Sequence, residues 1–177
     1  MSVIQYNPEN DEVFLFGKTI MDIIMGTYRS ETFEWKEYTN ETLSYNKSLI
    51  KSRELVEKLI SILSIVLKKN GYKINDSIYH IDFHRYNLFG EEYTTRFSWH
   101  KDDYGATDYE VNTAILYLRK DSTIQGGNLL IKGENKVNVG ENTLVLMDGR
   151  VIHKPEDLEG FGCRDSIVVK FQRVYTI

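Results

Sequence analysis

A single cysteine, Cys163, is the whole thiol complement of the chain. It excludes an intramolecular disulfide, and with it the class of small bridged secreted scaffolds. Proline is almost as scarce, with Pro8 and Pro155 alone, and no linker rich in Pro, Gly or Ser, no internal repeat and no low-complexity tract divides the chain. Excess positive charge is missing too: 22 Lys and Arg stand against 26 Asp and Glu, for a net charge of -4. Phosphate binding needs clustered cations, so nucleic acid is a poor default partner. The longest apolar-rich stretch, Leu55 to Leu67, is broken by Glu57, Lys58, Ser61 and Ser64 and cannot span a bilayer. The first residues, MSVIQYNPENDEV, carry neither the basic start nor the apolar run of a signal peptide. The expectation is one domain over 1–177, in a reducing cytoplasmic setting and with no membrane partner.

What is present falls into two halves. Residues 1–75 carry the helical signal, weak at 17–27 and strong at 49–69. In the latter, Leu55, Val56, Leu59, Ile60, Leu63, Val66 and Leu67 recur at spacings of three and four, and Asn70-Gly71 supplies a stop. From residue 77 the period becomes two: Tyr79, Ile81, Phe83 and Arg85 alternate with His80, Asp82, His84 and Tyr86. Further strands are predicted at 94–99, 111–119, 127–132, 135–138, 142–147 and 165–174, several separated by glycine turns. This is the pattern of a β-sandwich or barrel over 77–177, braced on one sheet by the helical half.

The chemistry rests on His100-Lys101-Asp102, on His153 fifty-one residues beyond Asp102, and on Arg164 eleven residues after that. Side chains two apart on a strand share a face, so His100 and Asp102 point the same way. A distant histidine completes a facial array of two imidazoles and a carboxylate, the ligand set of non-haem Fe(II) oxygenases. His80-Ile81-Asp82 also matches H-x-D. His100 and Asp102 are preferred because they end strand 94–99 and open the Asp102–Asp108 loop, where ligands sit at a barrel mouth. His80, Asp82 and His84 are read as a solvated or hydrogen-bonded strand face, with cleft lining the lesser alternative. Arg164 offers a bidentate fork to a dicarboxylate, and Ser166, two residues on, offers a further donor.

Four segments in order, FSWHKDD, TAILYLRKD followed by GGNLLI, TLVLMDGRVIHKP and GCRDSIVVKF, resemble the 2-oxoglutarate/Fe(II) dioxygenases, nearest the prolyl-hydroxylase-like branch. The resemblance runs from His84 to Arg173, about half the chain. It implies a mainly β fold with supporting helices (α+β), a double-stranded β-helix of the jelly-roll, cupin-like kind. It implies iron on His100, Asp102 and His153, the distal carboxylate of 2-oxoglutarate on Arg164 with Tyr117, and Thr113 as a weaker contributor to that pocket. It sets Tyr86 near 2-oxoglutarate or substrate. Phe97, Trp99 and Tyr104 flank the metal segment and offer a dry wall or a substrate platform, with ordinary packing the reading preferred for Trp99. The implied cofactors are Fe(II), 2-oxoglutarate and O2, with ascorbate as an optional reductant. The implied reaction is hydroxylation of a C–H bond, first of a protein or peptide side chain of prolyl type. The alternatives are a nucleic-acid or nucleotide demethylase, a small-molecule or amino-acid hydroxylase, and a non-catalytic cupin-like binding protein. Lys170, six residues after Arg164, is basic where the prolyl branch leads one to expect an apolar residue, and nucleic-acid demethylases of the superfamily share that feature.

Overall fold

The computed structural model describes residues 3–6, 36–38, 42–45, 57, 61, 64, 73–89, 96–102, 111–141 and 143–174. Ten strands follow in chain order: β1 (Val3–Tyr6), β2 (Lys36–Tyr38), β3 (Thr42–Tyr45), β4 (Lys73–Phe89), β5 (Val111–Lys120), β6 (Ile124–Gly126), β7 (Leu129–Ile131), β8 (Thr143–Asp148), β9 (His153–Pro155) and β10 (Leu158–Val174). The main sheet runs β1-β8-β5-β10-β4-β3-β2, and β7 pairs β9 in a small second sheet. The two enclose the core as a double-stranded β-helix.

β-Branched and aromatic residues fill the central strands, as in β5 (VNTAILYLRK) and the IVVKF of β10. Strand β10 changes partners along its length. Its first residues, Leu158 to Gly160, pair β6; from Phe161 it pairs β4, and from Arg164 to Gln172 β5 as well. The change of partner falls at Gly160 and Gly162, with φ of 114° and 125°, where only glycine turns the chain without a Cβ clash. Between the layers pack Ile115, Tyr117, Leu129, Ile131, Val139, Val145, Met147 and Val151. A second cluster joins Tyr86, Leu88, Ile124 and Leu158. The opposite face of the main sheet is dry as well, since Ala114, Leu116, Leu118, Leu144, Leu146, Ile167 and Val169 are all buried.

Several expectations change. The helical support expected over 1–75, with helices at 17–27 and 49–69, also supplies β1, β2 and β3 outside those two spans, each joined to the sheet by antiparallel pairing. Strands this short take their state from the neighbour they pair with rather than from a pattern of their own. Of the helix expected at 49–69, Glu57, Ser61 and Ser64 are described and are helical; they lie on its polar side. The helix expected at 17–27 lies outside the described residues. Residues 96–99 of the expected strand 94–99 are irregular, and 135–138 keeps one isolated bridge, Leu129 with Val137.

Candidate metal centre and cosubstrate pocket

Two candidate ligands are cross-strand partners. His100 donates its amide to the His153 carbonyl at 3.0 Å, and His153 returns the bond at 2.8 Å. The Asp102 amide donates to the Gly149 carbonyl at 2.9 Å. The segment bearing H-x-D is therefore fixed by backbone bonds to the turn before β9, although it is not a regular strand. One donor atom each from His100, Asp102 and His153 falls within 4.8 Å of the others.

The tautomers follow from the partners. A backbone carbonyl only accepts, so His100 Nδ1–H donates to Ser98 O at 3.0 Å and His153 Nδ1–H donates to Val151 O at 3.0 Å. In the neutral ring this leaves Nε2 with its lone pair, and Nε2 of His153 lies 3.7 Å from Asp102 Oδ2. This is the arrangement that orients histidine as a ligand. Burial lowers the pKa of His153, more than the Val151 carbonyl and Asp102 raise it, so the imidazole is neutral. Burial also works to raise the Asp102 carboxyl. The Lys170 ammonium and the Thr113 hydroxyl are the chief groups that outweigh it and hold the carboxyl below its ordinary value. Two imidazoles and a carboxylate suit a divalent first-row metal.

The triad opens into a cavity of about 280 Å³ that also reaches Arg164, Ser166, Tyr117, Tyr86, Phe97 and His84. Cross-strand register explains the grouping: Ser166 faces Tyr117 on β5 and His84 on β4, and Arg164 faces Tyr86. The Arg164 guanidinium lies 4.9 Å from the centre of the Tyr117 ring and 5.8 Å from that of Tyr86, and Nη2 donates to Gly127 O at 3.0 Å. It is a buried cation held by ring faces and a carbonyl, without a carboxylate among those contacts. Burial raises the Tyr117 phenol despite Arg164, so it stays protonated and able to donate. Phe97 meets Tyr86 edge to face at 5.3 Å and walls this end.

Of the expected residues, His100, Asp102, His153, Arg164, Tyr117, Ser166 and Tyr86 share the cavity. Thr113 does not line it. Its hydroxyl donates to Asp102 Oδ2 at 2.7 Å, so it braces a candidate metal ligand and does not reach the cavity beside Arg164. His84 lines the cavity while its Nδ1 meets Tyr86 Oη at 3.3 Å, so at this position the lesser alternative, cleft lining, holds beside the hydrogen-bonded one; the backbones of His80 and Asp82 pair Lys170 and Val168. Trp99 is not packed away but 47% exposed, with Lys154 Nζ 5.7 Å from its ring centre. Tyr104 lies outside the described residues. Sequence reasoning missed the contact between Lys170 and Asp102, 3.1 Å from Nζ to Oδ1. The signal was there, in the unexpected basic residue six positions after Arg164.

Gly127 also has a reason to be glycine. Its φ is 79°, and a Cβ would meet Leu158 Cδ2 at 2.6 Å and Arg164 Nε and Cδ at 3.2 and 3.3 Å. Gly127→Ala is expected to cost about 2 kcal/mol of stability from the left-handed backbone. It should also displace Arg164, raising the 2-oxoglutarate requirement while metal affinity holds. Thermal unfolding and parallel titrations with Mn(II) and 2-oxoglutarate check this, and equal loss of both affinities would count against a selective effect on Arg164.

The fold has solved counterparts. The chain aligns over 97% of its length with 92% of a prolyl-4-hydroxylase from Pseudomonas putida, at 17% identity and a TM-score of 0.66. It aligns over 96% with 83% of a Trichoplax adhaerens prolyl hydroxylase in complex with a hypoxia inducible factor peptide fragment, at 14% identity and 0.66. A viral collagen prolyl hydroxylase from Paramecium Bursaria Chlorella virus-1, in complex with 2OG, is covered over 97% by 99% of this chain, at 12% identity and 0.55. These likenesses establish the fold. No protein-family model and no curated protein matches the sequence.

Proposed function

We propose that this chain is an Fe(II)- and 2-oxoglutarate-dependent dioxygenase that hydroxylates a C–H bond. One observation carries the reading: two histidines held as Nδ1–H tautomers present free Nε2 atoms beside Asp102, and the same cavity contains the buried Arg164. His100, Asp102 and His153 would hold the iron. Arg164, with Tyr117 and Ser166 beside it, would hold the distal carboxylate of 2-oxoglutarate. When bound, the iron and cosubstrate supply oxygen activation, with 2-oxoglutarate consumed to succinate and CO2. The protein fixes the ligands through the backbone bonds between 100–102 and 149–153, orients the cosubstrate on β10, and excludes water with Phe97, Tyr86 and Leu129. A cupin-like binding role without chemistry does not call for a buried Arg aimed into the metal cavity.

The substrate we favour is a protein or peptide side chain of prolyl type. Its support is the fold shared with prolyl hydroxylases, one of them in complex with a peptide, and the exposed Trp99 next to a metal ligand. The basic residue that pointed toward nucleic acid, Lys170, is engaged with Asp102, which removes its weight from that alternative. Anaerobic addition of Fe(II) and 2-oxoglutarate is expected to give the visible charge-transfer band of the chelate. Proline-containing peptides should then accelerate succinate formation. Iron binding without the band would remove the cosubstrate reading; a band with no response to such peptides would move the substrate to another class.

A further inference from the structure

Strand β10 brings a second cation into the cavity, away from the Arg164 end. Lys170 Nζ lies 3.1 Å from Asp102 Oδ1, with the two side chains 15% and 6% exposed. Thr113 Oγ1 donates to the other oxygen, Oδ2, at 2.7 Å. Both oxygens of a buried candidate metal ligand are thus engaged by protein groups. Lys170 and Thr113 are themselves cross-strand partners on β10 and β5, so the clamp on Asp102 is built from adjacent positions of the main sheet.

Two consequences follow from elementary electrostatics. Without a metal, an ionised carboxylate in this cavity needs a counter-charge, and the ammonium provides it. With a metal, the same ammonium is a like charge sharing the same carboxylate, and in a partly buried site that repulsion is poorly screened. Resting on the iron-site reading above, we propose that Lys170 is a positioning residue of the metal centre. It holds Asp102 ready in the metal-free protein and, by competing for its charge, lowers the affinity of the triad for divalent cations. The site is thereby ordered before the metal arrives and releases it more readily than three such ligands alone would.

The test is Mn(II) binding to the purified protein, read from the loss of the EPR signal of free aqueous Mn(II), with neither cosubstrate nor turnover. Lys170→Met keeps the length of the side chain and removes the charge. It is expected to bind Mn(II) about tenfold tighter than wild type, or more. The metal-free variant should melt below wild type, and saturating Mn(II) should restore more of its melting temperature than it adds to wild type. Lys170→Arg, which keeps the charge, should bind like wild type. Unchanged or weaker affinity in Lys170→Met overturns the proposal, and so does Lys170→Arg binding as tightly as Lys170→Met. If Lys170→Met does not fold, Lys170→Gln carries the same comparison. Failure of the parent reading looks different: folded wild type that binds no Mn(II), or binding that survives His153→Ala, removes the iron site itself and this proposal with it.

Discussion

His153→Ala will yield a folded protein that holds no ferrous iron and forms no succinate. His153 is 3% exposed and offers one of three donors, so its loss leaves two ligands for a metal that water also competes to bind. Disturbing only the groups that orient a metal ligand costs 10- to 100-fold in affinity as a rule, and removing the ligand itself should cost more than about a hundredfold. The fold should survive because the bonds joining His153 to His100 are made by backbone atoms. Truncation frees the Val151 carbonyl from its side-chain partner, for a stability loss of about 1–3 kcal/mol. Metal content after anaerobic loading, together with a melting curve, measures both parts. A variant that stays fully active would mean that His153 is not a ligand.

Arg164→Ala should leave Mn(II) binding near wild type and raise the 2-oxoglutarate concentration for half-saturation roughly a hundredfold, the equivalent of one or two charge-assisted hydrogen bonds. The guanidinium sits between the Tyr117 and Tyr86 rings and is tied to Gly127 O, so it is already oriented before the carboxylate arrives. Arg164→Lys should recover only part of the loss, since an ammonium lacks the planar fork. Parallel Mn(II) and 2-oxoglutarate titrations separate this variant from His153→Ala. An unchanged 2-oxoglutarate requirement would move the anchor off Arg164, and Lys170, fixed to Asp102 at the other end, would not be its replacement.

Much of the site could be read from the sequence because its central strands obey a period of two. Period two sets Arg164 and Ser166 on one face of β10, the family resemblance adds Tyr117 on β5, and the three share one cavity. What period two could not settle was which face of β4 looks inward. Both faces of the main sheet are buried, as the run of buried residues through β8 shows, so burial gives no contrast from which to orient His84. Thr113 and Lys170 escaped for another reason. Their contact with Asp102 depends on the register of β5 against β10 and on the path of residues 100–102, and neither leaves a local pattern. Strands β1 to β3 were missed because a few residues at a sheet edge carry too little pattern to compete with the helical periodicity nearby.

Strand β10 presents Arg164, Ser166 and Lys170 from a backbone hydrogen-bonded on both flanks, to β4 and to β5. Such amides exchange with solvent only when the sheet itself opens, which sets β10 at the slow end of the molecule's breathing. From Arg164 to Lys170 the strand pairs β4 without interruption, and its one register shift against β5 in that span falls between Asp165 and Ser166. Ligands gripped here will protect the main sheet against exchange as a unit. New specificities can come from new side chains on this strand, but not from shifting its course.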